Sequence, residues 1–303
     1  MAEVTSVEDL RDALAAHDYL ADEGLATAVF LSLRLERPLL LEGEAGVGKT
    51  EVGKVLAAWL GGPLIRLQCY EGIDATQAVY EWDYSRQLLH LRAAEAAGEA
   101  AREGTERLED ELYSERFLVK RPLLEAVAPR EGPRPVLLID EVDRADDEFE
   151  AFLLEILSDY AVTVPELGTF RAERPPVVVI TSNRTRDVHD ALQRRCLYHW
   201  VEHPDFDQEV AILGVRAPGV SERLARQVAT MTAGLREMGL YKPPGVAETI
   251  DWAQALATLE REDLDEASVT ATLGSVLKYR EDQERVRGDG LGGLIEAAAP
   301  AAS

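Results

Sequence analysis

Unbroken apolar runs and amphipathic stretches alternate over the first two thirds of the chain, and amphipathic stretches alone fill the last third. Val136-Leu137-Leu138-Ile139 and Val177-Val178-Val179-Ile180 describe strands buried on both faces, the condition of a parallel sheet covered by helices. Pro38–Leu41, Leu64–Tyr70 and Leu197–Val201 read as further strands. Between them, Glu51–Leu60 keeps Val52, Val55, Leu56 and Trp59 on one helical face. Asp146–Tyr160 does the same with Phe149, Phe152, Leu153, Ile156, Leu157 and Tyr160. Ser6 caps an opening helix to His17 with Leu10 and Leu14 inward, a second helix runs over about Glu23–Leu35, and Val162–Phe170 reads as a short hairpin. From Asp205 onward Asp207–Val215, Ser221–Met238, Val246–Glu260 and Leu264–Val286 are all helical in period, with a break at Pro243-Pro244-Gly245. The pattern predicts an α/β fold over 1–204, with a parallel sheet flanked by helices. A small all-helical lid domain follows over 205–287, and 288–303 is expected as a flexible tail.

The first strand leads into Gly43-Glu44-Ala45-Gly46-Val47-Gly48-Lys49-Thr50, and a helix follows at once. Strand, glycine loop, Lys-Thr and helix in that order form a P-loop. The glycines let successive N–H groups turn toward an anion, and the helix N-terminus adds partial positive charge. Lys49 is expected on the β/γ-phosphates of a nucleoside triphosphate and the Thr50 hydroxyl on Mg²⁺. The segment ahead of the first strand is where adenine packs in many such proteins, and nothing in the sequence singles out its contacts.

Two carboxylates, Asp140 and Glu141, end the Val136–Ile139 strand, where ligands gather in α/β sheets. Asp140 is expected to hold the Mg²⁺ water shell and Glu141 to polarise the attacking water. The strand at Val177 ends in Thr181-Ser182-Asn183, and Asn183 is expected to position that water or touch the γ-phosphate rather than only to turn the chain. Arg194 and Arg195 follow; a paired arginine here either reaches into a neighbouring subunit's γ-phosphate or forms a surface salt bridge.

Composition narrows the partners. The 303 residues carry a net charge of −24 with 46% hydrophobic residues, enough for a sizeable core. Such acidity repels phosphate backbones, so nucleic acid is not expected as a substrate; a solvated acidic surface is favoured over a basic partner. Cys69 and Cys196 lie far apart, the first residues lack an apolar leader, and no run is long enough to span a bilayer, so a cytoplasmic location is expected. Cys196, His199 and His203 have a metal-like spacing, but strand alternation puts the two histidines on one face and Cys196 elsewhere, against a metal site. Glu71–Tyr84 reads as a loop whose Tyr80, Trp82 and Tyr84 either grip a partner or pack locally, and both readings stand. Leu91–Tyr113 is expected as exposed helices with a break near Gly104.

With GEAGVGKT, LLIDEVDRA, ITSN and ALQRRC in that order and a helical region after them, the chain resembles the AAA+ ATPases over about residues 20–285. Within them it looks like the MoxR family, through Asp140-Glu141-Val142-Asp143-Arg144-Ala145, the hairpin at Val162–Phe170, and the absence of a fused domain. RPLLLEGEAGVGKTEVGKVLA and YKPPGVAETIDWA are similar to the CoxD-type group, associated with maturing the copper–molybdenum centre of carbon monoxide dehydrogenase. The resemblance implies ATP and Mg²⁺ as ligands and a chaperone-like, hexameric ring. It also implies a von Willebrand factor A-domain partner and a metalloenzyme client. It makes Lys49 and Thr50 the Walker A contacts, Asp140 and Glu141 the Walker B pair, Asn183 sensor 1, and Arg195, with Arg194 as alternate, the arginine finger. One departure stands out: Lys242–Glu248, at the start of the lid helix, holds no sensor-2 arginine, and Lys242 is only a point charge. A small-molecule kinase, a DNA-acting AAA+ protein and a nucleotide-dependent scaffold with little turnover are the rivals.

Overall fold

A computed structural model of the chain describes residues 4–97 and 110–298. Five strands form one parallel sheet: β1 (Leu39–Gly43), β2 (Leu64–Gln68), β5 (Val136–Asp140), β8 (Val177–Ser182) and β9 (Leu197–Val201), in the order β2-β5-β8-β1-β9. The two apolar runs sit in the middle of this sheet as expected: β5 and β8 are buried at every position and pair in register from Val136↔Val177 to Ile139↔Ile180. Edge strand β2 instead alternates, with Ile65 and Leu67 buried and Leu64, Arg66 and Gln68 exposed, and its register sets Gln68 opposite Asp140. That pairing places a polar side chain of β2 beside the acidic end of β5.

The helices are α1 (Val7–Ala15), α2 (Glu23–Leu35), α3 (Lys49–Leu60), α4 (Ala75–Val79), α5 (Tyr84–Ala97), α6 (Pro122–Val127), α7 (Asp147–Asp159), α8 (Asp190–Gln193), α9 (Phe206–Arg216), α10 (Glu222–Glu237), α11 (Val246–Thr258), α12 (Glu266–Val276), α13 (Arg280–Asp289) and α14 (Leu291–Ala298). Two short antiparallel pairs complete the strands, β3 (Tyr80–Trp82) with β4 (Leu118–Lys120), and β6 (Ala161–Val164) with β7 (Gly168–Arg171). The second pair is the hairpin read from Val162–Phe170. Among the described residues no helix is long and apolar enough to cross a membrane.

Three readings are corrected. The stretch expected as a loop from Glu71 holds α4, started by a capping box in which Asp74 accepts from the Gln77 N–H, and then β3; an aspartate three residues before a glutamine was the missed signal. The single helix expected over Leu264–Val286 is two, because the chain is extended at Leu277 and Tyr279, which cap α12 and α13. Where a flexible tail is expected, α14 buries Leu291 and Ala298. The break expected near Gly104 lies outside the described residues.

The chain packs as two compact units. One comprises Thr27–Leu41 and Gly53–His199; the other comprises the stretch ending at Ala26, Glu42–Val52 and the chain from Trp200 onward. The first has its own core, where Leu137, Ile139, Val178 and Ile180 meet Leu123, Leu124, Phe149 and Leu153. The second is centred on Trp252, Leu213, Val228, Leu235, Leu256 and Leu273. The Trp252 indole N–H donates to the buried Thr272 hydroxyl at 2.7 Å, so its polar edge is satisfied.

Candidate functional site

The phosphate loop is shaped by glycines that no other residue replaces without strain. Gly46 and Gly48 have φ of 85° and 95°, in the left-handed region. A Cβ on Gly46 would come 3.0 Å from the Gly245 Cα, and the loop is pinned there by the Val246 N–H, which donates to the Gly46 carbonyl at 2.9 Å. Beside Gly48 a Cβ would meet nothing within 4 Å, so the loop is open on that side. Lys49 is buried, and its Nζ donates to the carbonyls of Gly43 and Glu44 at 2.8 and 2.6 Å. An open glycine loop, a buried ammonium and the first turn of α3 with its Thr50 hydroxyl suit a triphosphate and its magnesium.

Next to this loop, in the same unit, lies a cavity of about 130 Å³. Tyr19 and Leu20 line it from the segment after α1, with Val47 of the loop, Pro204, Ile212 and Val246. It is mostly apolar and just large enough for a flat base. Apart from Val47, which belongs to the P-loop, sequence reasoning left these residues unassigned because they come from separate stretches and follow no motif. Glu51 and Arg216 also line it and pair at 3.1 Å. Lys242 does not line it. Its side chain is exposed and its N–H donates to Asp282.

In the other unit the acidic pair is held by neighbours on both sides. The Thr181 hydroxyl donates to Asp140 Oδ1 at 2.6 Å and accepts the Glu141 N–H at 2.9 Å. Arg66 donates to Asp140 Oδ2 through Nε and Nη2, at 3.1 and 2.5 Å. Arg66 Nη2 also reaches the Gln68 Oε1 at 2.5 Å, and Gln68 Nε2 donates to Glu141 Oε2 at 3.2 Å. Arg144 pairs with the same oxygen at 3.0 Å, and Asn183 Nδ2 donates weakly to Oε1 at 3.4 Å. Asn183 and Glu141 are therefore brought together. Thr181, Arg66 and Gln68 were missed: the alternation of β2 marks Arg66 and Gln68 as sharing a face but not which strand they meet. Glu141 sits at φ 54°, ψ 52°, left-handed and rare for a side-chain-bearing residue, which aims its carboxylate away from the line of β5.

Asp143 explains why the acidic signature extends beyond the pair. It is buried and accepts from the N–H groups of Asn183 and Thr185, at 3.2 and 2.9 Å, and from the Thr185 hydroxyl at 2.7 Å. It thus locks the loop after β8 to the loop after β5. Further along, buried Glu150 pairs with Arg186 and accepts the His189 N–H, anchoring the chain just ahead of α8. Burial pushes the Glu150 carboxyl up, against the His189 N–H and Arg186.

Arg194 and Arg195, at the end of α8, are exposed, and neither guanidinium has a hydrogen bond or ion pair among the described residues. The surface salt bridge is not formed. Their backbone is clamped by Arg37, which donates to the carbonyls of Arg195, Arg194 and Cys196 at 3.2, 2.9 and 3.4 Å. Arg37→Met removes that clamp without touching either side chain. The expected result is unchanged nucleotide affinity with turnover lowered roughly 10- to 100-fold, since a misplaced catalytic group costs that order; equal turnover would show that the clamp positions nothing. Cys196 is buried with its thiol pushed up to about 12, and His203 pairs with Glu44 at 3.1 Å. Among the described residues no group of three metal-ligating side chains comes together.

The family described as AAA domain (dynein-related subfamily) matches residues 38–196. Among solved structures, two variants of RuvB from Thermotoga maritima each share 14% identity at a TM-score of 0.49, over 95% of this chain and 81% or 82% of theirs. An ATPase candidate from Cytophaga hutchinsonii shares 13% at a TM-score of 0.45, over 96% of this chain and 92% of its own. No curated protein matches the chain. The family match spans more than half of the sequence and takes in the glycine loop, the acidic pair, Asn183 and both arginines: the chain belongs to the dynein-related AAA domain family.

Proposed function

We propose that the protein is an ATPase of the MoxR type, which hydrolyses ATP in a ring of like subunits and uses the cycle to remodel a client protein. The observation that carries this is the contrast between a fully partnered acidic pair and two exposed arginines whose side chains have no partner among the described residues. A finger that completes a neighbour's site must be free at home. In this reading the loop from Gly43 to Gly48 and Lys49 bind the phosphates, and the base enters the cavity beside Tyr19 and Val246. Thr50 and Asp140 would hold Mg²⁺, which neutralises charge on the phosphates. Glu141 takes the proton of the attacking water, Asn183 fixes where that carboxylate points, and Arg195, with Arg194 as alternate, stabilises charge from the next subunit. A hexameric ring, a von Willebrand factor A-domain partner, a metalloenzyme client and a cytoplasmic location belong to the same proposal, on the MoxR resemblance. The acidity of the chain, at −24, weighs against DNA as substrate. A low-turnover scaffold gains one point from exposed Lys242 at the sensor-2 position.

The test is ATPase activity measured against protein concentration, with mass read by light scattering. Specific activity that climbs as a higher-mass species forms supports the ring motor. Constant specific activity from a monomer sinks the trans finger, and absence of turnover at every mass favours the scaffold.

A further inference from the structure

One wall of a long open groove in the first unit is α4 with β3 and Tyr84; the other is the C-terminal half of α7 with the β6–β7 hairpin. Its volume is about 1110 Å³, above the roughly 300–1,000 Å³ of small-molecule pockets. The aromatic series of β3 divides here. Trp82 is buried and stacks edge-on against Tyr113 with ring centroids 5.3 Å apart, so it is local packing. Tyr80 is half-buried along the groove, and Tyr84 is 67% exposed at its rim. Phe152 and Ile156 continue the apolar floor on the facing wall.

Charge decides what such a floor would bind. Glu81, Glu155, Asp159 and Glu166 line the groove against two cations, Arg121 and Arg171. Glu81 is already paired with Arg121, and Arg171 donates to the Asp159 backbone carbonyl. The exposed carboxylates of Glu155, Asp159 and Glu166 form no ion pair among the described residues, and Glu166 lies close enough to push the Tyr80 hydroxyl up, after burial. Four carboxylates against two guanidinium groups leave an excess of two negative charges over aromatic and aliphatic groups, which fits a cation with an apolar stem that can lie across the rings and reach a carboxylate.

We propose that this groove binds an unfolded polypeptide segment in which lysine or arginine alternates with apolar residues, and that it is where the client is gripped. The proposal rests on the client-remodelling reading and gives that client a chemistry. A solvated acidic surface alone would not place Tyr80, Tyr84 and Phe152 between the carboxylates.

The test is fluorescence anisotropy of a short labelled peptide alternating lysine and phenylalanine, titrated with the full chain, beside its glutamate counterpart. The lysine peptide is expected to bind and the glutamate peptide not. Glu155→Lys with Glu166→Lys should weaken binding by about tenfold or more, and Tyr84→Ala by several-fold. Glu237→Lys with Glu262→Lys, exposed residues of the other unit, change net charge equally and should shift binding less than about twofold. No binding by the unaltered chain, or equal weakening by both charge reversals, overturns the groove. Thermal midpoints and basal ATP turnover, both expected unchanged in the groove variants, confirm that they are folded. Peptide binding without any ATP turnover would keep the groove and remove the motor, whereas turnover without peptide binding would do the reverse.

Discussion

Replacing Glu141 by glutamine is expected to lower ATP turnover by about 10²- to 10⁴-fold, the range for loss of a general base, with nucleotide affinity unchanged. The substitution is clean for reasons visible around the side chain. Glutamine keeps the shape, and the backbone bond from the Glu141 N–H to Thr181 does not involve the carboxylate. What is lost is the pair with Arg144, whose side chain is 57% exposed, and one of the two long bonds from Gln68 and Asn183, toward which the new amide must turn its N–H₂. An exposed pair contributes about 0–1 kcal/mol, and Gln68 can turn to water. The fold should therefore melt within a few degrees of the unaltered protein. Asp140→Asn would not be equally clean. Both Asp140 oxygens accept hydrogen bonds in a buried setting, Oδ1 from Thr181 and Oδ2 from Arg66, so an amide must turn its N–H₂ toward a donor. Leaving such groups unsatisfied costs about 1–3 kcal/mol, and lost activity there would mix chemistry with instability. The measurement is steady-state phosphate release beside fluorescent-nucleotide binding. Turnover in Glu141→Gln within a few-fold of the unaltered protein would remove Glu141 as the base.

What the sequence disclosed of this site followed from how local each signal is. The glycine loop is a contiguous run whose order of strand, loop and helix is written in adjacent residues, so the expectations for Lys49 and Thr50 rest on local sequence alone. The β5 and β8 runs were equally plain, because a strand buried on both faces admits only apolar residues. The residues that tune the acidic pair were not local. Gln68 meets Glu141 across 73 positions and Arg66 meets Asp140 across 74, through a strand register that no single-strand pattern specifies. The cavity beside the glycine loop was illegible for the same reason, since its walls come from Tyr19, Val47, Pro204 and Val246. Helix α14 was misread on composition: GLGGLIEAAAP is glycine-rich at its start, yet its Leu291 and Ala298 are held by the helical core. Tertiary burial overrode a weak local propensity.

Arg195→Ala is expected to reduce turnover on the order of 10³-fold or more, the effect of removing an arginine that stabilises phosphoryl-transfer charge, while each subunit still binds nucleotide. The side chain is exposed and has no partner among the described residues, so the substitution leaves no buried charge unpaired and stability should not change. Loss of activity alone would not separate a finger acting in trans from a residue needed within its own subunit. Mixing does. A Glu141→Gln subunit offers an intact Arg195 but hydrolyses nothing, and an Arg195→Ala subunit keeps its own Glu141 but offers no finger. In rings assembled head-to-tail from equal amounts of the two, about one interface in four joins an intact Glu141 to an intact Arg195. Turnover should therefore reappear in the mixture, up to about a quarter of the unaltered level if sites act independently, although each variant alone is inactive. A mixture as silent as its parts, at a protein concentration where light scattering shows mixed rings, would place Arg195 in service of its own subunit. Arg194 supplies the remaining check, because Arg37 holds both carbonyls in one clamp and both guanidinium groups project from the same turn. If Arg194→Ala with Glu141→Gln regains turnover on mixing and Arg195→Ala with Glu141→Gln does not, the finger is Arg194.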